Sequence, residues 1–133
     1  MTETSLVYKE ERNSFNVVIA EGYLYKDKKH GFWVEYYPRK SSLDPLRVKA
    51  RGFYKDNQKT GIWREYHWNG ILKGMGKQEK GQKIGNWCYF DSKNGNCVSI
   101  IHYEGKKAIK LVGVSAKKIT LSPLFEEKIR QRS

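Results

Sequence analysis

The sequence predicts an all-β protein, an elongated single-layer antiparallel sheet built by stacking β-hairpins. Three observations predict it. A glycine, eight residues, a second glycine, one residue, a tryptophan, two residues and an aromatic ring recur as Gly22…Gly31-Phe32-Trp33…Tyr36, Gly52…Gly61-Ile62-Trp63…Tyr66 and Gly76…Gly85-Asn86-Trp87…Phe90. A lysine stands two places before the second glycine each time, at Lys29, Lys59 and Lys83. Between the two glycines, strand-forming residues give way to turn formers, as in Lys26-Asp27-Lys28-Lys29 and Lys80-Gly81-Gln82-Lys83.

Each unit therefore reads as a hairpin. A two-residue loop at 27–28, 57–58 or 81–82 sets Gly22 opposite Trp33, Gly52 opposite Trp63 and Gly76 opposite Trp87, so that each large ring covers a bare glycine. Alternation along the second arm then points the tryptophans to one face and Tyr36, Tyr66 and Phe90 to the other. One hairpin cannot bury such a surface, so the units must stack.

The links follow in order. Pro38 to Pro45, with two serines, suits an extended loop, whereas Asn69-Gly70 and Asn94-Gly95 are tight-turn signals. The whole chain of 133 residues reads as one repeat domain. Residues 1–19 form an N-terminal hairpin arm turning at Glu10 to Ser14. Residues 20–107 hold three repeats and a partial fourth at His102-Tyr103-Glu104-Gly105-Lys106-Lys107. Residues 108–133 supply a strand and a short capping helix. Ser122-Pro123 is the helix start, Leu121, Leu124, Phe125 and Ile129 share one side, and Glu126, Glu127, Lys128, Arg130 and Arg132 suit the dipole. Such a helix either covers the last hairpin or enters a partner's groove.

The unit Lys-x-Gly-x-Trp-x-x-Tyr/Phe, followed by a link such as Trp68-Asn69-Gly70-Ile71-Leu72-Lys73, resembles a MORN-repeat variant (membrane occupation and recognition nexus). The form is that of YwqK-like antitoxin proteins, over residues 18–107. The resemblance implies stacked hairpins and a protein-binding role. The third copy departs from it, with Tyr89 where the others carry Glu35 and Glu65 just before the ring.

A search for chemistry points away from an enzyme. His30, His67 and His102 occupy different repeat positions, and Cys88, Cys97 and His102 lack the close cysteine pair of zinc sites. No glycine-rich phosphate loop is present, because the glycines recur with the hairpins. No cofactor, metal or small-molecule substrate is expected. A hairpin turning at Asn94-Gly95 sets Cys97 opposite Ser92 and Cys88 opposite Ile101, so no disulfide is expected either. With no apolar run longer than Val17-Val18-Ile19-Ala20, the expectation is a cytoplasmic protein.

The formal charge of +12 reads in two ways. Lysines at the hairpin turns blunt the edges of a lone sheet, or they form a docking surface for an acidic partner. The leading function is a non-enzymatic protein-binding module, an antitoxin, immunity or inhibitor protein that masks a toxin or defence effector. Tyr37 and Trp68, rings outside the repeat consensus, and Arg64 are the expected anchors. Lys29, Lys59 and Lys83 would steer an acidic partner. The alternative is an adaptor that binds nucleic acid or an anionic membrane through the same basic turns.

Overall fold

The computed structural model describes residues 5–113, which form nine antiparallel strands in one sheet, arranged in chain order. They are β1 (Val7–Arg12), β2 (Val18–Tyr25), β3 (Lys28–Tyr36), β4 (Val48–Lys55), β5 (Gln58–Tyr66), β6 (Leu72–Glu79), β7 (Gln82–Phe90), β8 (Cys97–Glu104) and β9 (Lys107–Gly113). At ~4.8 Å between neighbours the sheet measures roughly 38 Å across its strands, against about 27 Å along them. Among the described residues no helix is long and apolar enough to cross a membrane. The helix expected from Ser122 lies outside the described residues.

The repeat glycines face the repeat tryptophans across the strands. Gly22 pairs with Trp33, Trp33 with Gly52, and Trp63 with Gly76, so one line of alternating glycine and tryptophan crosses the sheet. All three indoles are fully buried, in a sheet with only one layer. Each ring lies flat on the glycine of its own hairpin. A Cβ built on Gly22, Gly52 or Gly76 would meet the ring of Trp33, Trp63 or Trp87 at 2.3, 2.4 or 2.5 Å. Each indole N–H donates to the carbonyl just after that glycine, at Tyr23 (2.7 Å), Phe53 (2.9 Å) and Lys77 (2.9 Å), so the ring is pinned as well as covered.

The second glycine of each unit is needed for a different reason. Gly31, Gly61 and Gly85 have φ of 97°, 70° and 69°, in the left-handed region that favours glycine. They sit where the second arm takes up two extra residues, since Leu24 pairs with Lys29 while Gly22 pairs with Trp33. The turns themselves lie one residue earlier than the spacing suggested. They are Lys26-Asp27, Asp56-Asn57 and Lys80-Gly81, with positive φ at both residues as in hairpin turns of the I′ type. The glycine–tryptophan pairing survives because the irregularity in the second arm offsets the earlier turn.

Two other expectations are corrected. Glu10, Glu11 and Arg12 belong to strand β1 rather than to a turn, and the reversal falls on Asn13, whose side chain accepts hydrogen bonds from the Phe15 and Val17 amides. The link from β7 to β8 is wider than a two-residue turn. The Asp91 carboxylate caps the Lys93 and Asn94 amides, so Cys97 faces Phe90 and Cys88 faces Ile100. Both cysteines are free.

The glycines separate two physical requirements that equilibrium unfolding can measure. Gly52→Ala must displace the Trp63 ring and should cost about 3 kcal/mol, within the range for overpacking. Gly61→Ala finds no atom within 4 Å, so it should cost only the ~1–2 kcal/mol of a left-handed residue, and Gly61→Asn should recover part of that. Trp63→Ala should be the worst, at about 3–5 kcal/mol. Equal losses for Gly52→Ala and Gly61→Ala would show that the ring is not seated on the glycine.

Candidate protein-interaction face

The face that carries the tryptophans is occupied by its own side chains. Lys29, Lys59 and Lys83 reach back from the turn side over the indoles of Trp33, Trp63 and Trp87, with ammonium-to-centroid distances of 4.5, 4.3 and 4.4 Å. Each then pairs with a carboxylate one unit earlier in the chain: Glu11 at 3.0 Å, Glu35 at 3.1 Å and Glu65 at 3.1 Å. The aliphatic stems shield the rings while the ammonium groups meet both the π-cloud and an anion. The acids alternate with small residues in one line, Glu11 facing Ala20, Ala20 facing Glu35, and Ala50 facing Glu65. In the third unit Tyr89 replaces the acid, and its larger ring is accommodated by Gly74, where a Cβ would lie 2.8 Å from it. The three lysines thus serve the internal stacking of the units, which sets them apart from a free row of charges at the turns.

The opposite face has a different character. Pairing places Tyr8 against Tyr23 and Phe32 against Phe53, with Ile62 further along the same line. Tyr8, Tyr23, Phe53 and Ile62 are exposed. Beside this line, Val34 faces Arg51, and Arg51 faces Arg64 directly. Both arginines are exposed, and neither has an ion-pair partner among the described residues. Two like charges directly opposite in a sheet repel each other. Tyr36, Tyr66 and Phe90 also lie on this side, as expected. Tyr36 donates to Glu21 at 2.5 Å, and the Arg51 guanidinium stands 5.5 Å from the Tyr66 ring centroid.

At the link edge the two extra rings meet. Tyr37 and Trp68 are in edge contact, with centroids 5.3 Å apart. Tyr37 is half-buried, and its hydroxyl donates to the Tyr66 carbonyl, tying one unit to the next. In the following unit His67 occupies the same position, its Nε2 lying 2.7 Å from the Phe90 carbonyl oxygen. Tyr37 is therefore a staple, while Trp68 stays 49% exposed. Arg47 stacks on Trp68 at 4.8 Å and donates to its carbonyl at 3.1 Å. Leu46, Arg47, Val48, Arg51, Tyr66 and Trp68 enclose a cleft of about 350 Å³. Of the expected anchors, Trp68 and Arg64 come to this side of the molecule, and the three lysines do not. Arg51 was legible in principle, because the residue before Gly52 must face away from the tryptophans. Arg47 was not, because it lies in an irregular link.

Ionisation at the scaffold follows burial. Burial and the bond to Glu35 hold the Tyr54 hydroxyl well above the ordinary tyrosine range. Burial pushes Tyr103 up to about 12, aided by its hydrogen bond with Tyr89 at 2.7 Å. Burial also raises the Cys88 thiol, with Cys97 beside it adding to the effect. Among the described residues no group of three His, Cys, Asp or Glu side chains could hold a metal ion. No family model, curated protein or solved structure matches the chain. The likeness to MORN-type hairpins rests on the repeat residues themselves.

The raised tyrosines give stability a direction with pH. An unfolded tyrosine ionises near pH ~10, whereas folded Tyr103 does so at about 12. Between those values the folded state holds a proton that the unfolded state has lost. The tyrosine contribution to stability should therefore be constant below pH ~10 and fall as pH climbs toward 12. Absorbance at tyrosinate wavelengths should show fewer ionised rings in the native protein than in denaturant at the same alkaline pH. Coincident titration curves in the two solvents would contradict the buried network.

Proposed function

We propose that this chain is a non-enzymatic protein-binding module whose recognition surface is the face opposite the tryptophans, and that it masks a partner with an acidic, partly apolar surface. The observation that carries the reading is the facing pair Arg51 and Arg64, without a carboxylate among the described residues and set beside exposed Phe53 and Ile62. Like charges directly opposite cost the sheet stability. Arginine and aromatic side chains are, however, the residues that dominate binding energy at protein interfaces. The face offers roughly 1,000 Å² by strand spacing, comparable with the ~800 Å² each partner contributes to a standard interface.

The likeness of the repeat to YwqK-like antitoxins makes a toxin or defence effector the partner class to test first. The chain would then be an immunity or inhibitor protein. The formal charge of +12 would speed encounter with an acidic partner.

Arg64→Glu separates fold from function. It replaces a repulsive cross-strand pair with an attractive one, so the melting temperature should hold or rise, by the equivalent of ~0.2–1 kcal/mol. Binding to the partner should weaken by at least about tenfold. The partner is sought by co-expression with the products of neighbouring genes, scoring a stoichiometric complex and protection from toxicity. Failure of every neighbour to give either result would overturn the antitoxin reading. Undiminished binding of Arg64→Glu to a confirmed partner would move the interface to another face. Tight binding of single-stranded nucleic acid with a steep salt dependence would replace the protein partner altogether.

A further inference from the structure

We propose that the cleft between the start of β4 and the link after β5 is a receptor site for an acidic peptide segment, one in which carboxylates flank an apolar side chain. This deepens the protein-binding reading and rests on it. The lining combines two cationic side chains, Arg47 and Arg51, with the apolar and aromatic side chains of Leu46, Val48, Tyr66 and Trp68, around about 350 Å³. No Asp or Glu lines it. On the tryptophan face, by contrast, each repeat lysine has its own glutamate.

The two arginines are held ready. Arg47 lies 4.8 Å from the Trp68 centroid and Arg51 lies 5.5 Å from the Tyr66 centroid. A guanidinium resting on a ring keeps its in-plane N–H groups free for a carboxylate, and loses less conformational freedom when it binds one. Arg47 donates from Nη1 to the Trp68 carbonyl, which fixes the guanidinium at the mouth of the cleft. Leu46 and Trp68, 54% and 49% exposed, form an apolar lip that suits a hydrocarbon side chain beside the acids.

The same geometry disfavours a nucleic acid. Base stacking needs open ring planes, and both rings of the cleft already carry an arginine. A lone inorganic anion would leave the apolar lip unused.

Trp68 supplies the readout, since it is exposed while the other three tryptophans of the chain are fully buried. The probes are the peptide acetyl-Gly-Glu-Leu-Glu-Gly-amide, its counterpart with both glutamates replaced by glutamine, inorganic phosphate, and an oligothymidylate. Added to the intact protein, the acidic peptide should change Trp68 emission saturably, at a concentration at least about tenfold lower than the glutamine peptide requires. Arg51→Gln should weaken the acidic peptide by a similar factor at a melting temperature that holds or rises. Trp68→Phe should abolish the emission change, while calorimetry still detects binding.

Equal response to the two peptides, or none at millimolar concentration, would overturn the proposal. So would phosphate binding as tightly as the acidic peptide, or the oligonucleotide binding more tightly. If the peptide fails while Arg64→Glu still weakens a protein partner, the cleft assignment falls and the binding face stands. If both fail, both fall.

Discussion

The structure depends on a tryptophan lying on a glycine. Among the described residues the sheet has no second layer to cover its side chains, so each large ring is buried by what lies beside it. Absence of a Cβ at Gly22, Gly52 and Gly76 lets the indole settle onto the backbone of the neighbouring strand, and its N–H reaches a carbonyl there. Tyr54 fills the space between Trp33 and Trp63, with centroids 5.9 and 5.4 Å away. The repeat lysines close the top. The result is a core one side chain thick, in which no ring can be lost without uncovering another.

This solution uses one face for packing and leaves the other more exposed. On the tryptophan side every repeat lysine meets a glutamate and a π-face, so much of the basic charge there is neutralised locally. On the far side Arg51 and Arg64 stand without an ion-pair partner among the described residues, and Phe53 and Ile62 beside them are exposed. The net charge thus divides into a share paired within the scaffold and a share left unpaired, and position in the pleat distinguishes them.

Among the described residues the tryptophan line ends in lysine on both sides. Lys9 faces Gly22 in β1, and Lys110 faces Ile101 in β9, so lysine stands where a further tryptophan would be. β1 is in effect the second arm of an incomplete unit: it lacks the ring but keeps Glu11, the acid that receives Lys29. Charged side chains at the two outermost strands also discourage pairing with other chains.

The sequence by itself determined the hairpins, the strand order and the seating of ring on glycine, because fixed spacings between glycine and tryptophan have a single geometric reading. It also determined which residues face away from the core, Arg64 among them, since alternation in a strand admits only two sides. Only the tertiary structure decided the roles of the lysines, because Lys29 and Glu11 lie in different units and nothing local links them. It likewise decided that Tyr37 is a staple and that Arg47 joins Trp68 at the cleft, contacts made by links whose paths follow no period. The turn positions fell between the two. Local composition marked where the chain reverses, but the extra residues around Gly31, Gly61 and Gly85 set the register, through a backbone angle that the spacing does not reveal.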